Sequence, residues 1–268
     1  MVKKATDALA TVDPTTEGTG LALPADLSDF FQAENGLQDN LQYVDKPFFA
    51  ISTNGKQFSI GGDKLIGDEG RTFDGHLLRI CPIRGFYEEK YDPSNPTPPQ
   101  CASIGGLVPD DSSREKQSPT CGTCKWNKWD TATGQDGKPS KGKACREHKR
   151  LVFNIPGVAL PCLLSVPPTS QKAFSDFVKM ATVLMDPAPP LWAYTIRVGF
   201  DRSPKLAFQK LTFEVISLER DMNTLLTLKG LRNSQLYINA ERAYATAQEM
   251  AAEHDDSGAA GGQDGPGY

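Results

Sequence analysis

The chain reads as mainly β: an OB-fold-like barrel that carries a zinc-bound insertion and is followed by a C-terminal helix. Three observations predict this. Short apolar and aromatic runs alternate with turn residues, with 20 prolines and 24 glycines among 268 residues, a pattern of strands and not of a helix bundle. Only one stretch between the strand candidates has a sustained helical period. A polar segment, 95–150, interrupts the strands and holds four of the six cysteines.

In chain order, the first 45 residues set eight carboxylates against Lys3 and Lys4 and read as an acidic arm. Residues 47–52 (PFFAIS) and 56–60 (KQFSI) are strand candidates separated by Asn54-Gly55, a hairpin signal. Residues 76–91 (HLLRICPIRGFYEEKY) are apolar and aromatic enough for a long strand, with a kink expected at Gly85. Beyond the polar segment, 150–155 (RLVFNI) and 159–166 (ALPCLLSV) continue as strands. Pro167-Pro168-Thr169-Ser170 opens a helix running to Met185, with Phe174, Phe177, Val178, Ala181, Leu184 and Met185 three and four residues apart. Pro187-Ala188-Pro189-Pro190 ends it. Residues 191–200 and 205–217 alternate as a closing hairpin around Asp201-Arg202-Ser203-Pro204, and 233–253 read as an amphipathic helix.

If 47–60 and 150–166 each form one bent strand, five strands result, with the helix between the third and fourth. That is the order of an OB-fold barrel, with the insertion between its second and third strands. The organisation expected is an arm at 1–45, a core at 46–218 with the insertion at 95–150, a helical segment at 219–254, and a disordered acidic, Gly-rich tail at 255–268.

The composition, 38% hydrophobic with a mean hydropathy of -0.42, has mass enough for a core. No run approaches the ~20 apolar residues of a membrane span, so no membrane role is expected. The opening MVKKATDALATVDPTTEGTG lacks the apolar centre of an export signal. Net charge is only -4, but its distribution is uneven. Residues 114–150 hold ten bases against four acids, net +6; residues 241–268 hold one arginine against six acids, net -5. A basic centre between acidic ends suggests a polyanion partner and an acidic interaction tail. A solvated lysine-rich loop and a solubilising tail would give the same charges.

Cys81 and Cys162 sit in apolar strand contexts as small core residues. Cys101, Cys121, Cys124 and Cys145 follow the spacing C-x19-C-x2-C-x20-C in a segment too poor in aliphatic residues to fold around its own core. Four thiolates on a tetrahedral, structural Zn2+ would organise it, with Cys121-Gly-Thr-Cys124 as the knuckle. Disulfides would require export. A thioredoxin-like pair would require a strand-to-helix junction, and a zinc deaminase a His-x-Glu motif that does not occur. His148, three residues after Cys145, is an alternative ligand.

Basic and aromatic residues alternate where nucleic acid could bind: Lys56 with Phe58, Arg84 with Phe86 and Tyr87, and Tyr194 with Arg197. In the insertion, Lys125-Trp126-Asn127-Lys128-Trp129 interleaves two tryptophans with two lysines. A positive groove lined with aromatic platforms is how OB-folds hold single strands. The competing reading makes the strand aromatics core and lets Trp126 and Trp129 cap the knuckle.

Asp92-Pro93, Cys101, Gln117-Ser118, Cys121-x-x-Cys124, Trp129, Gly142-Lys143-Ala144-Cys145 and Arg150-Leu151, with Val166-Pro167-Pro168 and Lys210-Leu211-Thr212-Phe213 downstream, resemble a pattern in tailed-phage proteins. The design as a whole resembles the zinc-containing single-stranded-DNA-binding proteins of phages, over roughly residues 47–217. The resemblance implies an OB-fold, a structural zinc, a host-cytoplasmic location, and an acidic tail that meets phage replication proteins. The phage protein known to hold zinc uses one histidine and three cysteines at other spacings, so ligand roles carry over only to Cys121 and Cys124.

The first function expected is therefore non-enzymatic, sequence-tolerant binding of single-stranded DNA in phage replication or recombination. The alternative is a zinc-bearing accessory or regulatory subunit of a phage transcription or replication complex, acting through protein contacts. An enzyme is disfavoured, since His76, His148 and His254 are the only histidines and neither a phosphate loop nor a nucleophile elbow occurs.

Overall fold

The structure, a computed structural model, describes residues 44, 46–62, 64–88, 97–134, 138–201 and 210–243. The arm read at 1–45 (Val44 apart), the tail at 255–268 and the helical pattern past Ala243 lie outside the described residues. Eleven strands are described: β1 (Phe49–Ala50), β2 (Ser59–Ile60), β3 (Lys64–Leu65), β4 (Thr72–Phe86), β5 (Cys101–Ile104), β6 (Ala132–Thr133), β7 (Pro139–Ser140), β8 (Cys145–Asn154), β9 (Cys162–Val166), β10 (Tyr194–Phe200) and β11 (Leu211–Leu218). The helices are α1 (Gln171–Val183), α2 (Met222–Asn233) and α3 (Gln235–Arg242).

The main sheet runs β1-β9-β8-β4-β10-β11, with β5 also paired to β4. β1 lies parallel to β9, and the other pairs are antiparallel. The mainly β class holds, but the expected OB-fold-like barrel is not formed. Among the described residues the sheet is open, ending at β1 on one side and β11 on the other. The reason is local. Residues 150–166 are not one bent strand, because the chain reverses between β8 and β9 through Gly157 at φ 78, a conformation that glycine adopts freely. Residues 47–60 are split between two sheets.

β4 is the spine. Its 15 residues pair with β8 along one edge and with β10 and then β5 along the other. The irregularity in β4 falls between Leu77 and Arg79, while Gly85, where the kink was expected, stays in register with Ala102 and Arg146. Strand alternation sends Leu77 into one core and Leu78 into the other, and the bulge sets Arg79, paired with Val152, on the same face as Leu78. Strand alternation likewise sends Leu151 and Phe153 to one face of β8 and Val152 to the opposite face.

The first face is covered by α1, whose Phe174, Phe177 and Ala181 are buried at helical spacing. Phe174 meets Phe213 edge-on at 5.2 Å, and each such ring contributes about 1.5–3 kcal/mol on burial. On the second face lie α2 and α3, through Leu228, Tyr237 and Ala240. Two helices broken at Ser234 replace the single helix expected from residue 233. Arginines from both layers fasten them. Arg79 pairs with the Glu241 carboxylate and donates to the Arg232 carbonyl (2.9 Å), and Arg232 donates to the Leu78 carbonyl (3.1 Å). Arg150 donates to the carbonyls of Glu241 and Ala243, meeting the open C-terminal end of α3. None of the helices, among the described residues, is long and apolar enough to cross a membrane.

Candidate functional site

The polar segment 95–150 is not a separate body, because β5 and β8 at its two ends belong to the main sheet. Register places the cysteines. Phe86, the last residue of β4, pairs with Cys101 on one side and Cys145 on the other. Directly opposed residues share a face, so Cys101, Phe86 and Cys145 form one row. Residues 121–129 lie over this row. Trp126 stacks on Phe86 with ring centroids 4.7 Å apart and 16° between planes. Its Nε1 donates to Gln117 Oε1 (3.0 Å), and the Lys125 ammonium stands 4.5 Å from the ring centroid.

The knuckle is folded by its own backbone. Asn127 N–H donates to the Cys124 carbonyl (3.1 Å), and Asn127 Nδ2 donates to the Cys121 carbonyl (2.9 Å). Cys121, Cys124 and Cys145 are buried, whereas Cys101 is half-buried. The Cys145 thiol is pushed up to about 12, first by burial and then by the nearby Cys124 and Cys121; Cys101 acts on it more weakly than either. A dication at Cys145 would favour its thiolate and offset that upward push.

The fit to zinc is incomplete as the residues stand. Among the described residues, no three His, Cys, Asp or Glu side chains are close enough to hold a metal ion. Cys101 and Cys145 are two strand widths apart, about 9–10 Å between Cα atoms, with Phe86 between them. Cys121 and Cys124 act on Cys145 more strongly than Cys101 does, so these three form the nearer set. His148 pairs with Ile83 and, three residues from Cys145 on a regular strand, projects from the opposite face.

The residues expected to bind nucleic acid do not share one groove. Phe58 is 0% exposed, stacked on Phe200 at 4.3 Å and edge-on to Phe73 at 5.0 Å, and Tyr194 is 1% exposed. Both are core residues, and the expectation that they present faces to bases is corrected. Phe86 is likewise buried, beneath Trp126. Arg197 is exposed but holds Asp74 through two 2.7 Å hydrogen bonds, roughly 40 Å along β4 from Phe86. Arg84 pairs with Glu147 at 2.8 Å. Tyr87 is half-buried, and its negative form would raise the pKa of Arg146, which burial lowers. Lys56 is exposed in a left-handed turn (φ 59), next to β1 and remote from the insertion.

Lys125, Lys128 and Trp129 remain exposed together on the insertion. The structure adds Lys143, which in the sequence belongs to the basic run and to the Gly142-Lys143-Ala144-Cys145 motif. Its ammonium lies 5.5 Å from the Trp129 ring centroid and donates to Asn127 Oδ1 (3.2 Å). Thr131 secures the turn that presents Trp129: its hydroxyl donates to the Lys128 carbonyl (2.7 Å) and accepts from Ala144 N–H (3.0 Å). Against protein-family models, curated proteins and solved structures, the chain has no match.

Proposed function

We propose that this is a non-enzymatic, sequence-tolerant single-stranded-DNA-binding protein of phage replication or recombination, whose contact surface is the insertion between β5 and β8. The observation that carries the reading is the exposed Trp129 with Lys143 over its ring, on the same insertion as the exposed Lys125 and Lys128. No carboxylate pairs with these lysines among the described residues. Lysine ammoniums gather phosphates by releasing counterions, and an accessible indole offers a sequence-blind surface. The lysines lie within residues 114–150, net +6 in a chain of net charge -4.

A structural zinc belongs to this proposal. Cys121, Cys124 and Cys145 would hold it, with Cys101 as the fourth ligand, and the metal would supply the rigidity that the insertion lacks the apolar area to provide. The acidic C-terminal segment is the part proposed to meet phage replication proteins, in the host cytoplasm.

The test is a fluorescence-anisotropy titration of labelled oligo-dT at 50 and 200 mM salt. Binding that tightens at low salt, with a log-log slope of about -0.7 for each phosphate neutralised, is the expected result. No complex at 50 mM salt would reject the proposal in favour of a protein-contact role.

A further inference from the structure

The two tryptophans of the insertion are not equivalent. Both faces of Trp126 are taken, one by Phe86 and the other by the Lys125 ammonium, and its N–H is satisfied by Gln117. Trp129 is 70% exposed, the most open aromatic ring among the exposed large apolar residues. Among the described residues Lys143 stands over it, 5.5 Å from the centroid, and the following residue, Asp130, is held at φ 64. A hydrogen-bonded turn thus holds an indole outward beside an ammonium, the pairing of aromatic face and cation that single-strand binding uses.

Resting on the single-strand reading above, we infer that Trp129 and Lys143 form a stacking site for one unpaired nucleobase, with Lys143 also meeting the adjoining phosphate. The open face of Trp129 takes the base. Lys143 is not free to drift, because Asn127 Oδ1 accepts from it, and Asn127 is itself anchored to the Cys121 carbonyl. The ammonium is therefore held close to the ring, where a nucleotide's base and phosphate arrive together. Paired bases present no open face, so the site selects single strands over duplex, while lysines elsewhere on the insertion attract either.

The experiment compares wild type, Trp129→Ala, Trp129→Phe and Lys143→Gln for binding to oligo-dT and to a duplex of equal length, alongside their melting temperatures. Trp129→Ala is expected to weaken oligo-dT binding by about 5- to 150-fold, the range for one stacked base. Its duplex affinity and Tm should be unchanged, and Trp129→Phe should recover most of the loss. Lys143→Gln should reduce the salt slope by about 0.7. If wild type binds oligo-dT and Trp129→Ala binds it equally well, the stacking site is overturned while the function stands. Equal loss on oligo-dT and duplex overturns it too, as does a lowered Tm that Trp129→Phe restores without restoring binding. Wild type failing to bind oligo-dT removes both.

Discussion

Trp126 lies flat on Phe86, 4.7 Å between ring centroids and 16° between planes. This stack joins the cysteine turn to the end of the sheet's longest strand, at the residue that separates Cys101 from Cys145. Phe86→Ala should cost about 3–5 kcal/mol in urea unfolding and shift tryptophan emission to the red, because the indole loses its cover. Phe86→Leu should cost much less.

Metal analysis separates the cysteines. Protein purified without chelator is expected to carry one zinc per chain. Cys121→Ser, Cys124→Ser and Cys145→Ser should each lose it and lower Tm, and Cys101→Ser should lose less, given its place across Phe86. Full metal content in a Cys121→Ser, Cys124→Ser double variant would sink the scaffold role.

Alkaline pH should unfold the protein through a thiol in its core. Cys162 is fully buried in β9, and burial pushes it up to about 12 from 9.0. The folded state therefore holds its proton more tightly than the unfolded chain. This contribution is complete below pH 9 and is lost as pH rises toward 12. Urea midpoints measured from pH 7 to 11 should fall above pH 9, and Cys162→Ala should start lower but fall less steeply.

The Arg79–Glu241 pair fastens α3 to the sheet, with both side chains largely buried. Glu241→Ala leaves Arg79 with the Arg232 carbonyl alone, at a cost of about 1.5–3 kcal/mol. Limited proteolysis should then cut within 235–243 well before the sheet, and hydrogen exchange should quicken in α3 first.

Deleting residues 254–268 removes Asp255, Asp256 and Asp264. If those carboxylates compete with phosphates for the insertion's lysines, oligo-dT affinity should rise at 50 mM salt and the difference should shrink at 200 mM. Equal affinity at both salts would make the tail a solubility element.

Class and elements were more legible than topology. The period of Phe174, Phe177 and Ala181 located α1, and the alternation in 191–217 located β10 and β11, because each pattern is local. The open sheet was not readable, since it depends on the reversal at Gly157 and on β1 finding β9, neither of which leaves a periodic trace. The cysteine spacing singled out the residues that flank Phe86. Composition alone could not separate Trp129, held outward, from Phe58 and Tyr194, held in the core, because all three sit beside polar or basic neighbours.

The order of the sheet also sets a clock on biosynthesis. Thr72 in β4 must wait for Gly199, and Phe49 in β1 for Cys162, before either pair can form. At about 5–20 residues per second on the ribosome, one edge of β4 spends on the order of 6–25 s without its β10 partner. The nascent chain therefore carries an adhesive, incomplete sheet for nearly half of its translation. Its yield should respond more to temperature and to holdase chaperones than its finished stability would suggest.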